Sequence, residues 1–161
     1  MKYVLTIAIL VVSAMCGKMF SSSLVLRDKC FATLENLCEY FKNNLIFSHT
    51  KLSDIYANFN QTYPNEFNAL IVQMSEVGLK NSDQSSFTKY YYLKKEEISQ
   101  IYNFAKEIGK GDESCALNTI ESFRLYCENA HKNASIKRSQ NQGLYYKLCV
   151  AVGMIVCILI I

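Results

Sequence analysis

Two histidines, seven cysteines and one glycine–lysine–glycine–aspartate run carry what chemical potential this 161-residue chain has. A helical metal pair needs a second ligand one turn on, and neither His49 nor His131 has Cys, Asp or His at i+3 or i+4. Both histidines read as surface residues. No Cys-x-x-Cys pair occurs among Cys16, Cys30, Cys38, Cys115, Cys127, Cys149 and Cys157, which excludes a thioredoxin-type motif and a zinc knuckle. The thiols read as small apolar residues on helix faces, with two disulfides in an exported domain as the alternative. Gly109-Lys110-Gly111-Asp112 has half the composition of a phosphate-binding loop. It lacks the preceding strand, and punctuation between two helices explains it. With no nucleophile elbow and no paired acidic motif, nothing points to catalysis, a cofactor, a metal or a small-molecule substrate.

The composition separates the two ends from the middle. Residues 1–20 hold 15 apolar side chains, residues 144–161 hold 16, and the middle has ordinary soluble composition. Between 21 and 143 there are 14 basic and 14 acidic residues, so Lys2, Lys18 and Lys147 account for the net charge of +3. A neutral middle without a basic block gives no footprint for nucleic acid. One proline and few glycines argue against a turn-rich β fold.

Tyr3–Cys16 is apolar at 12 of 14 positions and, extended to Phe20, makes about 27 Å of helix. It fits an N-terminal membrane anchor over 1–20 with Lys18 snorkelling, or a cleaved signal peptide ending near Ala14-Met15-Cys16. Residues 144–161 read as a C-terminal transmembrane helix, Tyr145 and Tyr146 forming the aromatic belt beside Lys147. The rival is a removable lipid-anchor signal, which the sequons at Asn60 and Asn133 would suit. Lys18, Arg27, Lys29, Lys132, Lys137, Arg138 and Lys147 all lie on the inner side of the two apolar segments. The positive-inside rule then places the middle domain, 21–143, in the cytoplasm.

That domain reads as an α-helical bundle. Leu26, Cys30, Leu34, Leu37, Phe41 and Leu45 recur at steps of three and four, widened by Phe31, Cys38 and Ile46. Thr50 is the expected N-cap of a short helix with Leu52, Ile55, Tyr56 and Phe59 inward. Pro64 opens a third helix, with Phe67, Leu70, Ile71, Met74 and Val77 inward and Gly78 as its C-cap. Leu79–Ser86 reads as loop and Phe87–Leu93 as one or two turns. Glu96 and Glu97 open a helix carrying Ile98, Ile101, Tyr102, Ala105 and Ile108 on one face, with Gly109 as a left-handed C-cap. Asp112 caps the last helix, whose seam is Ala116, Ile120, Phe123, Cys127, Ala130 and Ala134, with Gly143 a possible break before the membrane. The small half of that seam, Cys127, Ala130 and Ala134, is a candidate interaction surface, unless the first helix runs alongside and buries it.

Taken in order, these segments resemble the stage III sporulation protein AB family of endospore-forming bacteria. Leu34–Asn58 is similar to the family's first helix and the junction after it, which here reads Leu45-Ile46-Phe47-Ser48-His49-Thr50-Lys51-Leu52. Ile108-Gly109-Lys110-Gly111-Asp112 resembles the turn before its final helix, and Leu144–Leu148, Gly153 and Ile158–Ile161 resemble its terminal anchor. Lys51 stands where the family usually has proline, Ala116 where glutamine often follows, and Cys149 where glycine follows leucine.

The resemblance implies a fold similar to the cytoplasmic helical domain of secretion and pilus platform proteins. It also implies a non-enzymatic role in the transenvelope apparatus between mother cell and forespore, required for spore formation. The implied partners are membrane lipid and other stage III sporulation proteins, including a secretion-type ATPase. The implied location is the mother-cell membrane around the forespore. The competing expectation is an exported surface protein with a cleaved leader and an anchored tail.

Overall fold

A computed structural model describes residues 2–48, 51–63, 66–80, 83–110 and 112–160. The side chains at 2–10, 20, 47–48, 79–80, 142, 145–146 and 157–160 lie outside what it describes. The described residues form five α-helices and one short 3₁₀ helix and contain no strand. α1 runs Lys2–Ser48, α2 Leu52–Thr62, α3 Asn68–Lys80, α4 Lys95–Glu107 and α5 Glu113–Ile160, with the 3₁₀ helix at Gln84–Lys89 between α3 and α4. The chain divides into two compact units, one of residues 30–131 and one formed by 1–29 with 132–161.

The unit 30–131 is the bundle. α1 contributes Cys30, Phe31, Leu34, Leu37, Cys38 and Phe41, all but inaccessible to solvent, because steps of three and four keep them on one stripe. Ile55, Tyr56 and Phe59 of α2 close over that stripe, the Phe41 ring meeting Tyr56 edge-on at 4.8 Å. α3 packs on α2 and α4, burying Leu70, Ile71, Met74 and Val77, with Phe67 just ahead of it also buried. Tyr90 is buried and donates its hydroxyl to Gln73 Oε1 at 3.0 Å, pinning the segment after the 3₁₀ helix to α3. A buried phenol needs such an acceptor, since its desolvation would otherwise cost on the order of 1–3 kcal/mol.

Several expected details differ. Gly78 does not end α3, which continues to Lys80 with no residue in the left-handed region at Gly78. The glycine is there because a Cβ would lie 2.8 Å from the Ala105 carbonyl oxygen of α4. α3 occupies 79–80 and the 3₁₀ helix 84–86, both expected as loop. Ile46 is exposed, because α1 has by then passed the last side chain that could cover it. On α4, Phe104 is buried where the apolar face was expected to carry Tyr102, which is only half-buried. Phe104 stands at i+3 from Ile101 and completes the stripe of Glu97, Ile98, Ile101, Phe104, Ala105 and Ile108. Gly143 does not interrupt α5. The Thr50 cap and the helix start at Pro64 lie outside the described residues.

The other unit is a pair of helix segments running antiparallel. Ser13 Oγ donates to the Cys149 carbonyl, and Arg138 Nη1 donates to Asp28 Oδ2 at 2.8 Å. Gly17, Asp28, Ala134 and Gly153 are buried, while Val11, Val12, Met15 and Met19 on one segment and Leu144, Leu148, Val152, Met154 and Ile155 on the other are exposed. Among the described residues no helix is long and apolar enough to cross a membrane. The described residues therefore do not support the terminal transmembrane helices expected over 1–20 and 144–161, although side chains 1–10 and 157–161 of those segments lie outside them.

Candidate functional site

Gly109, Asp112, Cys127, Ala130 and Ala134, singled out from the sequence, lie along α5 and the turn that leads into it. Ile108, at the start of that turn, is right-handed. Ile108 closes α4 with its N–H on Phe104 O at 3.0 Å, and Lys110 N–H follows onto Glu107 O at 2.9 Å. Gly109 accordingly sits outside the left-handed region expected of it. Asp112 Oδ1 accepts the Cys115 N–H at 2.9 Å, satisfying one of the donors that a helix start leaves without an internal partner. At the far end of α4, Glu97 folds back so that its Oε2 accepts the Lys94 N–H at 2.9 Å.

The small-residue seam is closed within the chain. Cys127 is fully buried, Ala130 nearly so and Ala134 at 2% exposure. Within the bundle unit α1 covers it: Phe31 packs edge-on to Tyr126, Glu35 Oε2 lies 3.3 Å from His131 Nδ1, and the Cys127 thiol hydrogen-bonds Cys38. Cys127 and Ala130 are thus part of the bundle core, and Ala134 is buried within the other unit. His131 stands one turn after Cys127, a backward spacing that a forward search for i+3 and i+4 partners misses. The described residues hold no group of three or more His, Cys, Asp or Glu side chains able to bind a metal ion.

Two buried thiols, those of Cys30 and Cys127, are held protonated. Burial pushes the Cys30 thiol up to about 12, the Glu97 charge adds to this and the Tyr92 hydroxyl opposes it. The hydrogen bond to Cys38, followed by burial, raises the Cys127 thiol. Raised thiols are poor nucleophiles and poor metal ligands, so their contribution is packing.

A charge ladder lies across α1 and α5. Glu121 accepts from Arg124 Nη2 at 2.8 Å and from Lys42 Nζ at 3.0 Å, and Arg124 Nη1 also reaches Glu128 at 3.6 Å. The Arg124 hydrogen bond, then that of Lys42, holds the Glu121 carboxyl down at about 2. The charges on this flank are matched inside the chain.

The opposite flank of α5 is different. Between α4 and α5 lies an open cleft of about 300 Å³, lined by Gln100, Asn103, Glu107, Cys115, Asn118, Thr119 and Ser122. Its wall is the parallel stack of Phe104 on Phe123, ring centroids 4.0 Å apart and 11° from coplanar. Carboxamides and hydroxyls dominate the lining, with the Glu107 carboxylate and the exposed Cys115 thiol among them. Periodicity had not revealed the cleft, because its lining belongs to two helices that only tertiary packing brings together.

A family model described as stage III sporulation protein AB matches residues 2–161 of the chain. No curated protein and no solved structure matches it.

Proposed function

This chain belongs to the stage III sporulation protein AB family, and we propose that it is a non-catalytic, membrane-anchored component of the assembly joining mother cell and forespore. The observation that carries the membrane part is the polarity of the unit formed by 1–29 and 132–161. Gly17 and Gly153 are buried in its two apolar segments, while Val11, Val12, Met15, Met19, Leu144, Leu148, Val152, Met154 and Ile155 of the same segments are exposed. Water would drive those aliphatic groups inside. Lipid removes that drive, and helices there associate through small residues and interhelical hydrogen bonds such as Ser13 to the Cys149 carbonyl. The basic residues beside the apolar segments favour a cytoplasmic bundle, in the mother-cell membrane around the forespore.

The bundle's chemistry supports a scaffold role. The Cys30 and Cys127 thiols are buried and held protonated, and Glu121 is paired with Arg124 and Lys42. Its partners on this reading are membrane lipid and other stage III sporulation proteins, a secretion-type ATPase among them, with no nucleic acid or small-molecule substrate.

The test uses Cys115, which is exposed on the bundle. In sporulating cells the protein should stay in the membrane pellet after alkaline carbonate washing. An impermeant maleimide should leave Cys115 unlabelled in intact cells and label it after lysis. Labelling of Cys115 in intact cells would favour the exported reading, and release by carbonate would remove the anchor. Co-purification with a secretion-type ATPase, lost on deletion of the bundle, tests the partner.

A further inference from the structure

We infer that Lys18 and Lys147 each hold the headgroup phosphate of an anionic phospholipid, whose acyl chain lies along the aliphatic stripe ending at that lysine. The inference rests on the membrane reading above and names the lipid class that the unit formed by 1–29 and 132–161 selects. That unit carries eight lysines and arginines against one acidic side chain, Asp28, which accepts from Arg138. The bundle, 30–131, carries nine against thirteen acidic side chains, so the net charge of +3 conceals a wide separation of charge. Cations clustered beside an apolar segment attract the negative surface of a bilayer.

Position gives the second argument. Val11, Met15 and Lys18 recur at steps of four and three and are all exposed, so one outward line on α1 runs from aliphatic to cationic. On α5, exposed Met154, half-buried Ala151 and exposed Lys147 repeat that order at steps of three and four. Each line covers about 10 Å of helix. The contact of Ser13 with the Cys149 carbonyl fixes how the two antiparallel segments are aligned. Counted from it at about 1.5 Å per residue, Lys18 lies about 7.5 Å and Lys147 about 3 Å towards the same end. The two lysines therefore share one level to within about 5 Å, the depth of a headgroup layer. Among the described residues neither lysine makes an ion pair. A lipid phosphate fits better than a free anion, because it brings an acyl chain to the stripe along with its charge. In a zwitterionic lipid the headgroup's own cation lies close to the phosphate and repels the lysine, so a net-anionic headgroup is preferred.

The test uses the full chain reconstituted in phosphatidylcholine vesicles with a trace of spin-labelled lipid. Electron spin resonance reads the fraction of label slowed by contact with protein. In low salt that fraction should be about twice as large for spin-labelled phosphatidylglycerol as for spin-labelled phosphatidylcholine, and the excess should shrink in high salt. Lys18→Gln with Lys147→Gln should remove the excess, and Lys18→Arg with Lys147→Arg should keep it. Lys137→Gln is the control. Lys137 is also exposed, but it stands about 15 Å along α5 from Lys147, beyond a Debye length of about 8–10 Å, so its loss should leave the excess in place. Equal fractions for the two lipids in the unaltered chain overturn the proposal, while the slowed component itself upholds the membrane reading. An excess that survives the double glutamine variant overturns it too. So does an excess lost equally in Lys137→Gln, which would mean diffuse surface charge in place of two sites. Absence of a slowed component with either lipid removes the membrane reading and this proposal with it.

Discussion

Gly78 on α3 faces the backbone carbonyl of Ala105 on α4 so closely that a methyl group at its α-carbon would lie 2.8 Å from the oxygen. Two effects oppose each other at this position. Inside a helix, alanine is preferred to glycine by about 1 kcal/mol. Overpacking against a rigid neighbour costs about 1–3 kcal/mol, and a backbone carbonyl within α4 has little freedom to retreat. We expect the packing cost to win. Gly78→Ala should lower stability in chemical denaturation, and a rise in the denaturation midpoint would show that α3 and α4 are further apart.

The Asp112 cap makes a separable prediction. Its Oδ1 holds the Cys115 N–H at 2.9 Å at an exposed site, so Asp112→Ala should cost about 1 kcal/mol, and Asp112→Asn much less because the amide oxygen still accepts. Urea titration of the three proteins reads the difference. Equal losses for Ala and Asn would mean that the charge, rather than the acceptor, stabilises the helix start.

The Glu121 ladder carries a pH signature. The carboxyl titrates near 4.5 when free and is lowered to about 2 in the folded chain by the hydrogen bonds of Arg124 and Lys42. A depressed carboxyl adds stability that is present above about 4.5 and is lost as the pH falls towards 2. The gap in melting temperature between the protein and Glu121→Gln should therefore be open at pH 7 and closed near pH 2. It should also shrink in high salt, because the groups are exposed. A gap independent of pH would mean that the substitution acts through packing.

Thiol reactivity should divide the cysteines by burial. Cys115 is exposed on the bundle and should react promptly with a maleimide at neutral pH, whereas Cys30, Cys38 and Cys127 should react only after denaturation. Because Cys30 is raised from 9.0 to about 12, the unfolded chain releases that proton before the folded one does. Its contribution to stability is intact below pH 9 and declines as the pH rises from there towards 12. Mass spectrometry of peptides from briefly labelled protein checks the first claim. Prompt labelling of Cys127 would show that α1 and α5 separate readily.

What local sequence determined is whatever depends on one helix at a time. The buried faces of α1, α2 and α3 follow from apolar steps of three and four, because a helix puts such residues on one stripe whatever its neighbours are. The Asp112 side chain stands three residues before the N–H it receives, a local relation that needs no partner element. What only the tertiary structure decided depends on two elements meeting. Gly78 looked like a helix end because glycine commonly ends helices, yet its role comes from the approach of α4 27 residues later. Phe104 was passed over for Tyr102 until Phe123 stacked upon it at 4.0 Å. Whether Cys127, Ala130 and Ala134 form an interaction surface or lie under the first helix stays open in the sequence, because no property of α5 alone states that they are buried. The cleft between α4 and α5 was illegible for the same reason: a hole has no sequence of its own, and its rim belongs to residues that only the packing of helices brings side by side.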